Sequence, residues 1–542
     1  MMEKINGSSY KSMIQYGINR LAKHCEVVNN LNVFPVPDGD TGTNMVLTMR
    51  NGFHSIAEET AVLSHMAQSF ANATVFGARG NSGVILSQFF KGVSEGFKDC
   101  KEADCRELSE ALDEGCRFAY AAVANPVEGT ILTVIREATE AIRAKLPGFR
   151  SIDDLVSTFL DEAKKSLENT PNLLPILKKA GVVDSGGSGL VYFFEGIQSY
   201  LKGEELEEVE SVQSDAPTVD YSLFNRNSKF EYGYCTELLL QLTVDPEEFS
   251  WGSFSEELKT LGDSLVTSLE GDKVKIHIHT PYPERILKFC HPYGEFLTLK
   301  IENMSVQHTQ NTQKVLCAAE PSSPYFAVVA VAPNPMLQKM LSDMGADAVI
   351  LSAEVPSSQD FLEAFELLDT REILVFPNSS NSILSAMQAG SLYKKAKITV
   401  LNCRSIAECY SSLAIIDYEN EKTAEVVSEI NDTIANIYEV AVIRAGKDIS
   451  FGNKQVMRGH YFALAGHDIL FTDAAFDETV RLTVRDVVAR RDCSVVNLFY
   501  GQNVSVEQIE ALADEIRESD ADVEPCLIPT QNAIYDLLLS FE

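Results

Sequence analysis

The acidic stretch from Gly203 to Pro217 is the feature that most constrains how this chain can fold. Between its ends the residues read Glu-Glu-Leu-Glu-Glu-Val-Glu-Ser-Val-Gln-Ser-Asp-Ala and nearly lack large apolar side chains. Such a segment cannot bury enough apolar surface to become ordered by itself, so its composition predicts a linker. The chain should therefore fold as separate domains on either side of it.

Before the linker, apolar residues recur at three- and four-residue steps. Two such faces consist of Met13, Tyr16, Gly17 and Leu21 and of Leu86, Phe89, Phe90 and Val93. This period is typical of amphipathic helices. Proline and glycine breaks fall at Pro35–Pro37, Gly77–Gly80, Asn125–Pro126, Pro147–Gly148, Pro171–Pro175 and Asp184–Gly189. They divide the region into helices of ordinary length, so we predict an all-α bundle.

After the linker, strand patterns appear. Cys235–Val244 is rich in Leu, and Lys273–Thr280 alternates apolar with polar residues, which is typical of half-buried strands. Helical patterns around Phe254–Leu261 and Pro283–Phe289 lie between them and after them. We predict a small α/β domain that ends near His308.

Beyond a polar break at Glu320–Ser323, three apolar runs are each followed by a helical pattern: Phe326–Ala332, Ile373–Phe376 and Ile398–Leu401. This alternation predicts a mostly parallel sheet covered by helices. At 542 residues the chain has room for about three domains. We set them at 1–203, 223–318 and 319–542, with the linker at 204–222.

Charge and cysteine usage narrow the environment and the partners. With 45 Lys+Arg against 78 Asp+Glu, the net charge of −33 disfavours nucleic acid and anionic bilayers. We find no signal peptide and no apolar run long enough to span a membrane, so we expect a soluble, cytoplasmic protein. The 11 cysteines are scattered and never form Cys-x-x-Cys, which indicates reduced thiols.

The motif that carries chemistry is Asn29–Asn44, Asn-Asn-Leu-Asn-Val-Phe-Pro-Val-Pro-Asp-Gly-Asp-Thr-Gly-Thr-Asn. Gly39 lets Asp38 and Asp40 lie on one tight turn, where two carboxylates can bind one Mg²⁺. A helix opening at Thr41 would direct free amides toward a phosphate. The alternative is a stiff loop in which Asp40 or Thr41 caps a helix. Met49, where the closing glutamate would stand, excludes an EF-hand.

Three further loops could bind a nucleotide. Gly77–Gly83 lacks the lysine of a Walker A loop, but its glycines, Asn81, Ser82 and the charge of Arg79 can contact phosphates. Asp184–Gly189 is a second glycine-rich loop, and Asn125–Thr130 precedes a helix. Each could instead be an ordinary helix connection, with Arg79 on the surface. The nucleotide-binding candidates are Thr41, Thr43, Asn44, Gly80, Asn81, Ser82, Gly83, Gly129, Thr130, Asp184, Ser185 and Gly186.

A second metal site is indicated in the small α/β domain. His277 and His279, two residues apart on a strand, should project from one face, and Cys235 could reach them from a neighbouring strand. A thiolate and two imidazoles with an open position suit Zn²⁺. The alternative is a pair of solvent-facing histidines. Glu237 could orient a ligand, and His308 is a weaker candidate.

In the C-terminal domain, Phe376–Asn381 follows a predicted strand and opens a helix. Open α/β sheets bind ligands at such places. The segment has no glycine-rich phosphate loop and no dense acidic cluster. We therefore expect docking or dimerisation there rather than catalysis.

These motifs together resemble one family. The N-terminal part is similar to the ATP-binding subunit of dihydroxyacetone kinases. The domain order with Asp38–Asn44, Gly77–Gly83, Tyr232-Gly-Tyr-Cys-Thr-Glu237 and His277-Ile-His-Thr280 resembles bacterial fatty acid kinase catalytic subunits over essentially the whole chain. The resemblance implies an up-and-down helical barrel that binds ATP and Mg²⁺, a middle domain, and a DegV-like C-terminal domain similar to the fatty-acid-binding partner subunit.

The resemblance also implies residue roles. Asp38 and Asp40 would be Mg²⁺ ligands, and Thr43, Asn44, Asn81 and Ser82 would contact the nucleotide. Dihydroxyacetone kinase subunits have a third aspartate upstream, where this chain has Asn32-Val-Phe-Pro35, so the third metal ligand is not identified.

We therefore expect an ATP-dependent kinase that phosphorylates the carboxylate of a fatty acid presented by a separate binding protein, and a homodimer. Arg79 is a candidate for stabilising charge on the transferred phosphoryl group. Two rivals remain: a small-molecule kinase like the dihydroxyacetone system, and a regulatory protein that binds ATP without turnover.

Overall fold

The computed structural model describes residues 2–32, 39–54, 56, 61–206, 234–244, 249–270, 272–303, 315–318, 320–446, 448–451, 454–466, 468–519, 522–531 and 535–542. The chain divides into two compact units. One comprises Met1–Val212 together with Leu316–Glu542, and the other comprises Gln213–Val315. None of the helices in these residues is long and apolar enough to cross a membrane.

The N-terminal part is all-α, as predicted, apart from a two-residue strand pair, β1 (Ile5–Asn6) with β2 (Glu102–Ala103). Side chains start several of its helices: Asn6, Asp104 and Ser151 each accept a hydrogen bond from a backbone N–H of the first turn. The helices are α1 (Gly7–Lys23), α2 (Cys25–Asn30), α3 (Thr41–His54), α4 (Leu63–Phe76), α5 (Gly80–Gly96), α6 (Cys105–Ala121), α7 (Ile131–Lys145), α8 (Ile152–Leu173), α9 (Pro175–Ala180) and α10 (Ser185–Leu201).

Small residues let the helices of this domain approach closely around an aromatic core. A Cβ on Gly196 of α10 would lie 2.2 Å from the carbonyl oxygen of Tyr16 in α1, so only glycine fits there. Phe193 of α10 is fully buried, and a Cβ on Gly17 of α1 would lie 2.6 Å from its ring. The break predicted at Pro171–Pro175 is confirmed at Leu174, between α8 and α9, although Pro171 itself lies in the last turn of α8. The break predicted at Asp184–Gly189 is instead helical from Ser185, where α10 begins.

In its described residues, the unit Gln213–Val315 forms a four-stranded antiparallel sheet and two α-helices. Its strands are β3 (Tyr234–Leu242), β4 (Asp263–Glu270), β5 (Lys273–Thr280) and β6 (Gly294–Asn303), in the order β4-β5-β3-β6. Its helices are α11 (Trp251–Lys259) and α12 (Pro283–Cys290). The two predicted strands and both predicted helices are confirmed, whereas β4 and β6 were not foreseen.

The C-terminal region is α/β with two main sheets. The first, in the order β11-β10-β8-β9-β7, pairs β8 with β9, β8 with β10 and β10 with β11, all in parallel. Its strands are β7 (Val315–Cys317), β8 (Ala327–Ala332), β9 (Ala348–Leu351), β10 (Glu372–Phe376) and β11 (Lys397–Val400). The prediction of a parallel sheet is confirmed for this half of the region.

The second sheet is mixed, so the prediction of a mostly parallel sheet is wrong there. Its order is β16-β15-β12-β19-β17-β18, and among its described pairs the β17–β18 pair is parallel while the others are antiparallel. Two features make it mixed: β15 pairs antiparallel with both β12 and β16, and β19, the last strand, lies antiparallel between β12 and β17. The strands are β12 (Tyr438–Arg444), β15 (Tyr461–Ala465), β16 (Asp468–Asp473), β17 (Val495–Tyr500), β18 (Glu524–Pro529) and β19 (Leu537–Phe541), beside a hairpin of β13 (Ile449–Phe451) and β14 (Lys454–Val456).

Helices cover both sheets of the C-terminal region. They are α13 (Pro335–Asp343), α14 (Ser358–Glu366), α15 (Ser380–Leu392), α16 (Ile406–Ile415), α17 (Thr423–Asn436), α18 (Phe476–Arg490) and α19 (Val506–Ser519). Of these, α15 packs against α5 of the helical domain within the same compact unit. This contact brings the C-terminal region to the loops singled out in the sequence.

Candidate nucleotide and metal site

The starts of four helices in the N-terminal domain converge. The hydroxyl of Ser185, at the start of α10, donates to that of Thr41 at the start of α3, at 3.3 Å. A Cβ on Gly186 would lie 2.9 Å from Ser82 Oγ in α5 and 3.2 Å from Ile131 Cβ in α7. Helix starts carry partial positive charge, so their convergence makes a place suited to an anion.

Asp40 lies at this convergence, directly before α3. Gly39 has a φ of 67°, the left-handed conformation expected of the turn. The carbonyl of Asp40 accepts the N–H of Asn44 at 2.9 Å and so begins the helix. The other predicted ligand, Asp38, lies outside the described residues.

Asn29 holds the first turn of α3 and was not among the predicted site residues. Its Oδ1 accepts the N–H groups of Gly42 at 2.7 Å and Thr43 at 3.2 Å, and its Nδ2 donates to Thr43 Oγ1 at 3.1 Å. The expectation of free amides in this turn is therefore wrong for Gly42 and Thr43. The only signal in the sequence was that Asn29 opens the same motif.

The glycine-rich segment at 77–83 is half loop and half helix, because α5 begins at Gly80. Gly80 has a φ of 63°, and a Cβ there would lie 2.7 Å from Nδ2 of Asn44. Thr48, which sequence reasoning missed, joins the two loops: its hydroxyl accepts the N–H of Arg79 at 3.1 Å and donates to the carbonyl of Asn44 at 2.7 Å. Gly80 therefore permits a close approach of Asn44 and α5 that no other residue would allow.

Asp184 is the N-cap of α10 and is almost fully buried. Its Oδ2 accepts the N–H of Gly187 at 2.7 Å, and its own N–H donates to Thr170 Oγ1 at 3.1 Å. Burial raises the pKa of this carboxyl to about 6, against the lowering effect of hydrogen bonds from the backbones of Gly187 and Ile131. Asp184 thus holds the Gly186 turn in place.

The third loop reaches the site through the start of α7 rather than through Thr130 itself. The hydroxyl of Thr130 donates to the carbonyl of Val127 at 2.8 Å. Gly129 has a φ of 85°, and its N–H donates to Thr133 Oγ1 at 2.7 Å. The contact with the other loops is made one residue later, where Ile131 meets Gly186.

Arg79 points to the C-terminal region. Its Nη1 donates to the carbonyl of Val355 at 3.2 Å and to Oε2 of Glu354 at 3.4 Å. The N–H of Ser358 donates to the carbonyl of Ala78 at 3.2 Å. The structure therefore places Arg79 at a contact between domains, and its proposed role in charge stabilisation stays a prediction.

Asn381 of the C-terminal region lies beside the metal-site loop. Its Nδ2 donates to Oδ1 of Asp40 at 3.4 Å, and its Oδ1 accepts from Nδ2 of Asn81 at 3.2 Å. Farther along the same helix, Gln388 accepts from Nε2 of Gln88 at 2.8 Å and donates to the carbonyl of Val75. The segment Phe376–Asn381 thus docks, as expected, and it docks within one chain.

The residues at the convergence fit a magnesium nucleotide. Asp40 supplies a hard oxygen donor, and the buried Thr41, Asn44 and Ser185 supply neutral polar groups. A Cβ on Gly80, Gly83 or Gly186 would meet polar side-chain atoms at 2.5–2.9 Å, so these glycines let Asn44, Thr48 and Ser82 pack directly against the backbone of the converging helix starts. Among the residues the structure describes, no group of three or more His, Cys, Asp and Glu could hold a metal ion.

For the predicted zinc site, the structure gives the strand register. Cys235 of β3 pairs with His279 of β5, and Glu237 pairs with His277. The three predicted ligands therefore lie on adjacent strands within two residues of one another in register. The arrangement of their side chains is not described, and the zinc site stays a prediction.

Several solved structures resemble parts of this chain. The Streptococcus pneumoniae fatty acid kinase B3 protein loaded with linoleic acid is 15% identical, with a TM-score of 0.31, and the match covers 40% of this chain and 99% of that one. The dihydroxyacetone kinase from C. freundii in complex with AMP-PNP and Mg²⁺ is 18% identical, with a TM-score of 0.29, over 37% of this chain and 35% of that one. Likenesses of this size carry no argument about function.

Family and whole-chain matches are stronger. Residues 35–199 match the DAK2 domain, residues 231–311 the middle domain of FakA-like fatty acid kinase proteins, and residues 327–542 the C-terminal domain of the same proteins. Uncharacterized proteins of Staphylococcus aureus strains bovine RF122 / ET3-1 and USA300 are each 32% identical over 552 residues, which cover 100% of this chain and 100% of each relative. Since three consecutive domain matches and full-length relatives agree, the chain belongs to the FakA-like fatty acid kinase family.

Proposed function

We propose that this chain is the ATP-dependent catalytic subunit of a fatty acid kinase, which transfers a phosphoryl group to the carboxylate of a fatty acid held by a separate binding protein. The observation that carries the proposal is the convergence of four helix starts on Asp40 and the Gly80 turn. Membership of the family supports the assignment to fatty acids.

The residues of the site have two proposed roles, to bind the magnesium nucleotide and to stabilise the negative charge of its phosphates. Asp40, with Asp38, would hold Mg²⁺, and Asn44, Asn81 and Ser82 would donate to phosphate oxygens. A bound magnesium nucleotide would supply the phosphoryl group and a cation that neutralises its charge. The helix starts of α3, α5 and α10 present their positive ends to the same place.

A carboxylate acceptor needs no general base, because it is ionised and nucleophilic at neutral pH. The site accordingly needs donors and alignment more than a proton acceptor. Asp184, whose pKa burial raises to about 6, is bonded to the turn at Gly187 and has a structural role. Membership of the FakA-like family supports a fatty acid as the acceptor.

The proposed reaction is tested by detecting its two products, ADP and the acyl phosphate. Purified protein, ATP, Mg²⁺ and a fatty acid bound to a purified DegV-type binding protein should release ADP, and hydroxylamine should trap the acyl phosphate as a hydroxamate. Parallel reactions contain dihydroxyacetone as acceptor, or no acceptor. ADP release only with dihydroxyacetone would identify a small-molecule kinase, and ATP binding without turnover would identify a nucleotide sensor.

The boundaries 1–203, 204–222, 223–318 and 319–542 remain part of the proposal, with ATP and Mg²⁺ assigned to the first domain. For the middle domain we propose about one Zn²⁺ per chain at Cys235, His277 and His279, in line with the pairing of Cys235 with His279. Elemental analysis of untagged protein tests this. Protein without zinc would overturn it.

We also propose a homodimer formed through the edge of the middle-domain sheet. Strand β6 is the last strand in the order β4-β5-β3-β6, and its Leu297, Leu299 and Ile301 are 50%, 47% and 38% exposed. A row of exposed apolar side chains on an edge strand favours pairing with a second copy. Light scattering should give a dimer for the native protein and a monomer for Leu299→Lys.

A further inference from the structure

We propose that Asn381, supplied by the C-terminal region, is a positioning residue of the magnesium-nucleotide site in the helical domain. Its side-chain amide joins two residues of that site, since it donates to Asp40 and accepts from Asn81. The inference rests on the proposed assignment of ATP and Mg²⁺ to this site. It adds to that assignment a residue that lies 341 positions from Asp40 in the sequence.

The turn that presents Asn381 is held rigidly. Asn378 has a φ of 56°, a conformation uncommon for residues other than glycine, and its Nδ2 donates to the carbonyl of Val331 at 2.7 Å. Cys403 Sγ donates to Asn378 Oδ1 at 3.2 Å. Ser379 Oγ accepts the N–H of Asn381 at 3.2 Å and caps α15. A turn held by this many partners is preorganised, so Asn381 is placed before any ligand arrives.

The chemistry of the contact suits a metal ligand. A neutral amide that donates to Oδ1 of Asp40 fixes the direction of the carboxylate without neutralising its charge. A lysine or arginine in the same place would form an ion pair and compete with a cation. Because Asn381 is 6% exposed, water competes little for these hydrogen bonds.

A second polar contact on the same helix provides a matched control. Gln388 accepts from Gln88 at 2.8 Å and donates to Ser358 Oγ at 3.2 Å, so it also joins the two domains. It lies seven residues beyond Asn381, about 10 Å along the helix axis. The structure describes no bond from Gln388 to Asp40 or Asn81. Gln388 therefore contributes to docking without touching the site.

The test uses the full chain and a non-hydrolysable ATP analogue. Binding is measured by calorimetry at several Mg²⁺ concentrations for native protein, Asn381→Leu and Gln388→Leu. Leucine nearly conserves the volume of both side chains and removes the amide. We expect Asn381→Leu to weaken binding about tenfold at limiting Mg²⁺ and much less without Mg²⁺, because two hydrogen bonds that orient the ligand set are lost. Gln388→Leu should stay within twofold of the native protein.

Equal weakening in both variants would show that docking alone matters and would overturn the proposal. An unchanged affinity in Asn381→Leu would also overturn it. If Asn381→Leu does not fold, Asn381→Ser replaces it. Serine keeps a polar residue in the first turn of α15 but cannot reach both partners, so we expect the same weakening of binding at limiting Mg²⁺.

The readout separates this proposal from the proposed function. The titration contains no fatty acid and no binding protein, so failure of the hydroxamate assay leaves its result intact. Conversely, the native protein could form acyl phosphate while the Asn381→Leu variant binds the magnesium nucleotide normally. That result would support the proposed function and contradict the proposed role of Asn381.

Discussion

Two buried regions of the helical domain differ in what fills them. In its interior, Phe90 makes edge-to-face contacts with Phe70, Phe89 and Phe193 at centroid distances of 5.3, 5.3 and 5.5 Å. At the end where the helix starts converge, hydroxyls, amides, glycines and a carboxyl take the place of the rings. The same helices, α5 and α10, run through both regions.

This difference in composition indicates that one region determines the stability of the domain and the other the positions of the groups at the site. Burial of apolar area stabilises a fold roughly in proportion to that area, whereas a satisfied polar contact adds about 1 kcal/mol net. The interior should therefore set how stable the domain is. The polar end, including its contact with α15, should set where the reactive groups lie. Substitutions can test this division.

The largest effect on stability should come from the interior. Phe193→Ala removes a fully buried ring and leaves a cavity, which should lower the free energy of unfolding by about 4 kcal/mol. Urea denaturation measures the free energy of unfolding, and hydrogen exchange in α10 reports the same loss of stability at the site of the substitution. Phe76→Ala is the control, because Phe76 is 43% exposed and its loss should change stability by less than about 1 kcal/mol. Equal losses in the two variants would contradict the comparison.

The converse holds for the polar end. Asp40→Ala should reduce phosphoryl transfer at least about a hundredfold, or about 2.7 kcal/mol of activation free energy, because a metal ligand is lost. Its free energy of unfolding should fall by no more than about 1 kcal/mol, since Asp40 loses one hydrogen bond, from Asn381, and contributes no apolar burial. Asp161→Ala, at an exposed position of α8, should change neither quantity. Near-normal turnover of Asp40→Ala at limiting Mg²⁺ would remove Asp40 from the ligand set.

The polar end should also make the free energy of unfolding depend on pH. Burial raises the pKa of Asp184 from 3.8 to about 6 in the folded protein, so between these values the folded state binds more protons than the unfolded state. Its contribution to stability is therefore lost as pH rises from about 4 to about 6. Asp184→Asn keeps an acceptor for the N–H of Gly187 and cannot ionise.

Relative to native protein, Asp184→Asn should accordingly gain stability with pH, from less than about 1 kcal/mol near pH 4 to about 3 kcal/mol near pH 7. Urea midpoints of both proteins at four pH values measure the difference. A difference that is constant with pH would show that Asp184 does not titrate in this range.

The smallest effect should come from the contact between domains. Gln388→Leu should weaken docking by about 1 kcal/mol, because it exchanges polar contacts for an apolar side chain. Hydrogen exchange should become faster in α15 and around Gln88 in the middle of α5, and stay unchanged in the helical interior. Gln359→Leu, at an exposed position of α14, is the control. Faster exchange throughout α10 would mean that the contact supports the core.

The sequence predicts best those elements whose pattern is local. Ala327–Ala332 is a continuous apolar run and forms the fully buried strand β8. By contrast, the mixed sheet depends on β19 lying between β12 and β17, a pairing of distant segments that no local pattern encodes. Strand β6 was missed although its pattern is local, because Leu297, Leu299 and Ile301 alternate with polar residues as in a half-buried strand.

The site shows the same limit. Thr41, Asn44, Ser82, Ser185 and Gly186 were identified from motifs, and the structure brings them together. Thr48 and Asn29 were missed because hydroxyl and amide groups inside helices are common, and their partners depend on how the helices pack. The contact of Asn381 with Asp40 joins two domains, so nothing near either residue in the sequence could reveal it.

The two amide contacts between α5 and α15 make the docking sensitive to rotation. Asn81 pairs with Asn381 and Gln88 with Gln388, so both helices advance by seven residues from one contact to the next and run in the same direction. Seven residues fall about 20° short of two full turns, which keeps both pairs on one line. One residue inserted between Asn381 and Gln388 would turn Gln388 by about 100° away from its partner. An insertion of seven residues would restore its direction but carry Gln388 about 10 Å past Gln88, so the pair would re-form only if α5 gained the same seven residues.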